Sequence, residues 1–343
     1  MQPQALILFY PQGHEDHAEP GHPERPERVE AIRTALQKLG WWDRFPHVQP
    51  LPLAVDFLQT VHTPAYLSVL EAACQRGVHL DMDTYTTPAS WKLAVNAAGG
   101  AAAVAAQIWQ GPARRGFALT RPPGHHATPS RGMGFCLLNN VALAAEYLLR
   151  REGAQRLAIV DLDLHHGNGT QDVFWQRGDV LYVSTHQSPL YPGSGGLEEI
   201  GAGLGKGSTV NIPLPPGSGD RAFAAVMESL IIPLLDRFKP EMVLVSVGFD
   251  VHWRDPLGSF QLSAAGYHHL IRLLAAWADQ HCEGRVALFL EGGYDLAAGA
   301  ACGQASIAAL LELSWQDPLG AAPQPEGTTW ESMLRRARHI WSI

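Results

Sequence analysis

The chain has 343 residues, 46% of them apolar, and a formal net charge of −8. That length and composition support one large buried core, since α/β sheets often reach this size as a single unit. The negative charge and the lack of a Lys/Arg-rich run argue against direct nucleic-acid binding; a basic protein tail or a polyamine suits the sign better.

Short, continuously apolar runs alternate with amphipathic ones along the chain. Strands are predicted at Ala5–Tyr10, Gly116–Thr120, Leu157–Leu162, Val180–Thr185, Met242–Gly248 and Val286–Leu290. Continuous apolarity marks strands covered on both faces, hence a parallel sheet between helices. Helices are predicted at 26–39, opening on Pro26 and closing at Gly40, at Asn140–Arg151, at Asp220–Phe238 with a break near Pro233, and at Ser263–Cys282. The order strand, helix, strand implies a doubly wound α/β domain. No repeat or linker divides it, so residues 1–343 read as a single domain. Its catalytic core spans about 5–315, and the segment 316–343 is peripheral.

The cysteines Cys74, Cys136, Cys282 and Cys302 are scattered and form no C-x-x-C pair, which fits a reducing compartment. The apolar run at Ala5–Tyr10 is too short for a signal-peptide core and lacks a basic lead. The alanine-rich stretch 94–106 is broken by Gly99 and Gly100 and is too weakly apolar to span a membrane. A cytoplasmic location is expected.

Ligands of such sheets sit beyond the carboxyl ends of the strands, so polar clusters that follow a strand are the candidates. The run from Val160 to Gly169 places Asp161, Asp163 and His165 on one side of a strand end by period-2 alternation. Carboxylates and an imidazole converging on a core need a compensating ion. Asp163 and His165 supply two zinc ligands. Asp250, directly after the strand Met242–Gly248, is the best third, leaving a position open for water. Two carboxylates cancel the charge of Zn²⁺, so such a site needs a general base to take the proton of the water. The adjacent His125 and His126, on a Pro/Gly loop after the strand Gly116–Thr120, are the candidates. Asp161 and Asn168 can orient them, and the histidine facing Asn168 should keep the lower pKa. After the strand Val286–Leu290, paired glycines present Tyr294, whose hydroxyl can donate to a developing oxyanion.

Together these pieces resemble the histone deacetylase family, most closely its class II branch with the bacterial deacetylases and acetylpolyamine amidohydrolases. The resemblance runs from His22-Pro23-Glu24-Arg25-Pro26-Glu27-Arg28 to about Gly303 and carries four motifs in order: the paired histidines, D-x-D-x-H-H-G-N-G, G-F-D and E-G-G-Y. It implies the arginase–deacetylase fold, with a mainly parallel sheet of about eight strands. It further implies zinc on Asp163, His165 and Asp250, His126 as base and then acid backed by Asn168, and His125 as an electrostatic helper backed by Asp161. Tyr294 would polarise the acyl carbonyl. A potassium ion is implied near the zinc, held by Asp161, Ser184 and the backbone carbonyls of Asp163, His165 and Thr185. Arg28 matches the arginine of an internal acetate channel. Gly134 and Phe135 match one wall of the acyl-lysine tunnel, and Tyr191 the other. Asn168 stands where class I members carry aspartate, and Asp255-Pro256-Leu257-Gly258 also has the class II form. The polyamine-selective branch places an acidic gatekeeper at the position of Leu257.

The expected activity is removal of acetyl or other acyl groups from lysine side chains of proteins or peptides. The nearest alternative is deacetylation of acetylated polyamines by the same chemistry. Arginase-like hydrolysis with two manganese ions lacks its second set of bridging aspartates, and a non-catalytic acyl-lysine binder would not need Tyr294 or the histidine pair. Oligomeric state is not legible in the sequence.

Overall fold

The computed structural model describes residues 6–343, so Ala5 of the first predicted strand lies outside the described residues. Seven strands form one sheet: β1 (Leu6–Phe9), β2 (Arg115–Ala118), β3 (Leu157–Asp161), β4 (Val180–Gln187), β5 (Thr209–Leu214), β6 (Val243–Val247) and β7 (Val286–Leu290). Among the described residues, eleven helices surround it: α1 (Glu27–Lys38), α2 (Val55–Leu58), α3 (Pro64–Arg76), α4 (Ser90–Gln110), α5 (Asn140–Tyr147), α6 (Asn168–Phe174), α7 (Asp220–Val226), α8 (Ile232–Phe238), α9 (Ala264–His281), α10 (Leu296–Leu310) and α11 (Trp330–Trp341).

The strand order is β1-β2-β7-β6-β3-β4-β5, and every pairing is parallel. Every residue of β3, β6 and β7 is buried, as strands covered on both faces must be. The expected architecture of helices around a parallel sheet is therefore observed, with seven strands instead of about eight. The unpredicted one is β5. Its sequence Thr-Val-Asn-Ile-Pro-Leu carries Pro213, which reads as a strand breaker. It lies at the sheet edge, where a missing N–H costs no ladder bond.

The predicted helix over Asp220–Phe238 is two helices joined by a wide turn at Met227–Ile231, which leads into Pro233 at the start of α8. The 94–106 stretch forms α4, packed tightly on the core. A Cβ on Gly99 would meet Leu51 O at 2.3 Å, and one on Gly100 would meet the Phe9 ring at 2.3 Å. The two glycines that break the apolar pattern are therefore what lets this helix approach its neighbours. No helix among the described residues is long and apolar enough to cross a membrane. In the C-terminal segment, α11 packs beside β5 and buries Trp330, Leu334, Ala337 and Trp341 in the main core.

The register sets the site. Asp161 at the end of β3 pairs with Ser184 on β4 and with Ser246 on β6, and Val247 pairs with Leu290 on β7. The chain leaving β2, β3, β6 and β7 at their carboxyl ends therefore delivers its residues to one place.

Candidate active site

Asp161 and Asp163 are fully buried, and Asp250 is 1% exposed. The pleat does not carry the β3 residues together, because the strand ends at Asp161. Two successive aspartate turns do: the Asp163 N–H donates to Asp161 Oδ1 at 3.2 Å, and the His165 N–H donates to Asp163 Oδ1 at 2.8 Å. Asp250 lies on a short 3₁₀ turn just after β6 and accepts the Leu164 N–H at 3.1 Å.

Ligand atoms of Asp163, His165 and Asp250 all lie within 4.8 Å of one another. His165 Nδ1 faces both carboxylates, 3.3 Å from Asp163 Oδ1 and 3.4 Å from Asp250 Oδ2. Edges of about 3.3 Å suit a tetrahedron with bonds of roughly 2 Å. Asp250 Oδ2 is buried and accepts no hydrogen bond. A Cβ on Gly248 would stand 1.8 Å from Asp163 Oδ2, and one on Gly292 would stand 2.0 Å from Asp250 Oδ2. The two glycines keep clear the space around these oxygens. Burial alone would depress the His165 pKa, but Asp163 and Asp250 raise it to about 9, so the site favours a positive charge between them. Two carboxylates, one imidazole, an orphaned buried oxygen and a glycine-lined cradle fit a zinc ion.

The two loop histidines have different partners. His125 Nδ1 lies 3.1 Å from Asp161 Oδ2, and His126 Nδ1 lies 2.8 Å from Asn168 Oδ1. Against the penalty of burial, Asp163 and Asp161 push His125 up to about 10. Burial, with His125 and His165 as neighbouring positive charges, holds His126 well below its ordinary value. Asn168 Oδ1 accepts from Nδ1, so a neutral His126 carries its proton there and its Nε2 lone pair is free.

Their loop is anchored from below. Arg121 is fully buried and binds Glu24 through two bonds, Nε to Oε1 at 2.8 Å and Nη2 to Oε2 at 3.0 Å. Glu24 also accepts from Arg28 Nη1 at 2.9 Å. The other Arg28 donors go to the glycine turn before Tyr294: Nε to Gly293 O at 2.7 Å, and Nη2 to Glu291 O. The guanidinium lies over the Tyr294 ring, 4.8 Å from its centroid. Arg28 also borders a narrow internal crevice with Ile32 and Phe249.

His125, His126, His165 and Tyr294 open onto one cavity of about 530 Å³, which Gly134, Phe135, Tyr191 and Leu257 also line. The Phe135 ring meets that of Tyr294 edge-on at 5.8 Å, and the Tyr191 ring meets that of His126 at 5.2 Å. Gly134 and Phe135 both adopt positive φ, +55° and +69°. A Cβ at Gly134 would touch His126 Cδ2 at 2.4 Å, so only glycine lets this wall approach the His126 ring. Asp81, Met82, Asp83 and Arg131 also line it, with Met82 90% exposed at the mouth. Deeper, Ser184 donates to or accepts from His186 Nδ1 at 2.9 Å, and the Thr185 hydroxyl donates to Asp161 O at 3.3 Å.

Three buried residues that sequence reasoning gave no role support this site. Glu291 accepts the N–H groups of Gly124 at 2.6 Å and His125 at 3.1 Å, holding the histidine loop. Burial pushes its carboxyl up to about 7, against the pull of His125. The Tyr182 hydroxyl sits between two acceptors, 3.1 Å from Asp161 Oδ2 and 3.0 Å from Gly167 O, and shares its one proton with them. Asp255 accepts the Tyr294 N–H at 2.6 Å. The available signals were a glutamate directly after an apolar strand, a tyrosine inside one, and an aspartate before proline.

A profile described as Histone deacetylase domain matches residues 22–310. A probable deacetylase of Archaeoglobus fulgidus is 43% identical over 254 residues, covering 74% of this chain and 70% of that protein. A histone deacetylase-like amidohydrolase of Pseudomonas aeruginosa is 36% identical, covering 92% and 84%. The crystal structure of the HDA15 HD domain superposes with a TM-score of 0.91 at 33% identity, covering 98% of this chain and 95% of that one. With its motifs in order at the ends of β2, β3, β6 and β7, this chain belongs to the histone deacetylase family.

Proposed function

We propose that this protein is a zinc-dependent amidohydrolase that removes acetyl or other acyl groups from lysine side chains of proteins or peptides. The observation that carries this reading is one cavity lined by His126 with a free Nε2, by Tyr294 and by His165, whose ring meets the buried carboxylates of Asp163 and Asp250. When bound, zinc supplies Lewis-acid chemistry, polarising a carbonyl and acidifying water.

The chain's own groups do the rest. The apolar walls Phe135, Tyr191 and Leu257 hold an extended alkyl stem and exclude water. Tyr294 donates a hydrogen bond to the acyl oxygen, and the bond strengthens as negative charge develops there. His126 Nε2 takes the proton of the attacking water. It later returns that proton to the leaving amine, so acetate and a free amine depart. Asp163 and Asp161 keep His125 charged, and burial together with that cation holds His126 neutral until the water gives up its proton. Asp161 at the end of β3 pairs with Ser184 within β4, and the Thr185 hydroxyl reaches Asp161 O; such oxygens suit a hard cation, which supports the potassium ion implied by the resemblance. The four buried, unpaired cysteines support a cytoplasmic setting.

Lysine peptides are favoured over polyamines because Leu257, an apolar residue, stands on the cavity wall where a polyamine's inner ammonium would need a carboxylate. The acidic pair Asp81 and Asp83 beside exposed Met82 suits basic residues flanking the acyl-lysine. A panel of acetyl- and longer-acyl-lysine peptides beside acetylputrescine and acetylspermidine, assayed on enzyme of measured zinc content, tests this. The expected result is a higher kcat/KM for the peptides. A kcat/KM that favours the acetylpolyamines would transfer the assignment to them.

A further inference from the structure

The segment Glu291–Asp295 reaches Tyr294 through two glycines, and Gly293 has φ +113°. Such a segment has little conformational preference of its own. The place of the Tyr294 hydroxyl therefore depends on what the backbone around it is tied to. The carbonyls of Glu291 and Gly293 are taken by Arg28. Gly292 is tied through both its polar groups: its N–H donates to Asp163 Oδ2 at 2.9 Å, and its C=O accepts from the Phe249 N–H at 3.1 Å. The N–H groups of Tyr294 and Asp295 are both taken by one carboxylate oxygen. Asp255 Oδ2 accepts them at 2.6 and 3.1 Å. The other oxygen, Oδ1, accepts the Leu257 N–H at 3.0 Å. Asp255 is only 5% exposed, so water is a poor substitute for these bonds.

We propose that Asp255 is a positioning residue for the hydrolysis: one buried carboxylate sets the Tyr294 hydroxyl over the acyl oxygen and locks it to the Leu257 wall of the tunnel. The proposal rests on the reading of Tyr294 as the oxyanion donor. Arg28 clamps the glycine turn by its carbonyls, and Asp255 clamps its far side by the N–H groups. An oxyanion donor is useful only when held to a fraction of an ångström, so loss of either clamp dissipates its effect. Asp255 faces backbone N–H groups and not the cavity, which is why it acts through Tyr294 and not on substrate.

Asp255→Asn keeps the side-chain shape and one acceptor oxygen, but sets an NH₂ against a backbone N–H on one side. Wild type, Asp255→Asn, Tyr294→Phe and the double variant are compared as full-length, zinc-loaded enzyme for kcat, KM and zinc content. Asp255→Asn is expected to lose about tenfold to a hundredfold in kcat, with zinc still at one per chain and KM changed less than about threefold. The double variant is expected within about twofold of Tyr294→Phe alone, because both changes remove the same stabilisation. Wild-type kcat in Asp255→Asn, or losses that multiply in the double variant, would overturn the proposal while leaving Tyr294 as donor. Wild-type turnover in Tyr294→Phe would instead remove the donor reading and this inference with it. If Asp255→Asn shows no cooperative melt, the cycle is run with Asp255→Ser. Failure of both variants to fold with zinc would make Asp255 a structural residue and overturn the proposal.

Discussion

At the amino ends of the strands, buried and half-buried arginines are matched by carboxylates. Arg115, which opens β2 and is fully buried, donates to Asp279 Oδ1 at 2.6 Å and to Ala275 O at 3.0 Å. Arg177, beside the start of β4, binds Asp179 through two bonds of 2.8 and 2.6 Å and reaches Glu146 at 2.6 Å. At the carboxyl ends of the same sheet, the carboxylates of Asp161, Asp163, Asp250 and Glu291 gather within the core. There the counter-charges in direct contact with Asp161 and Asp163 are histidines that must first acquire a proton, and Asp250 Oδ2 has no hydrogen-bond partner. Paired ions at one end hold the fold together. Excess negative charge at the other destabilises it unless a cation arrives, and a fold keeps such an excess only for chemistry.

Substitutions at the two ends should therefore fail in different ways. The largest effect is expected from His126→Gln, which removes the base and leaves the packing: kcat falls by about 10²–10⁴ with an unchanged melting temperature, measured by steady-state kinetics beside a thermal melt. A small loss of kcat would mean that the carboxyl-end cluster does not depend on this histidine for proton transfer. The smaller effect is expected at the other end. Arg115→Met strips a charged hydrogen bond from Asp279, which is about one-third exposed and can turn to water, so denaturant unfolding should show a loss of about 2 kcal/mol. Its kcat should equal that of wild type. A fall in kcat there would show that the two ends are coupled and would break the comparison.

The strand ends were readable because each candidate follows a continuously apolar run, and a parallel sheet collects such residues at one edge. His125, His126, Asp163, Asp250 and Tyr294 all lie on segments that follow a strand end; His125, His126 and Tyr294 line one cavity, and Asp163 and Asp250 are buried against His165, which lines it too. Period-2 alternation was the wrong reason for grouping Asp161, Asp163 and His165, since aspartate turns and not pleat bring them together. Asp255, Glu291 and Arg28 were harder to read because they act through backbone N–H and C=O groups distant in sequence, and any polar residue looks alike for that purpose. Proline hid β5 and glycine hid α4, because edge position and close packing are tertiary facts that reverse the local meaning of both residues.

The central claim is that Asp163, His165 and Asp250 form a zinc site built into the unpaired end of the sheet. Zinc content after equilibration and gel filtration tests it most directly, comparing wild type with Asp250→Asn by elemental analysis. The account predicts one zinc per chain in wild type and a large loss in Asp250→Asn, because the amide removes a charge the ion needs. Wild type without zinc, or an Asp250→Asn variant that retains a full equivalent, would contradict it.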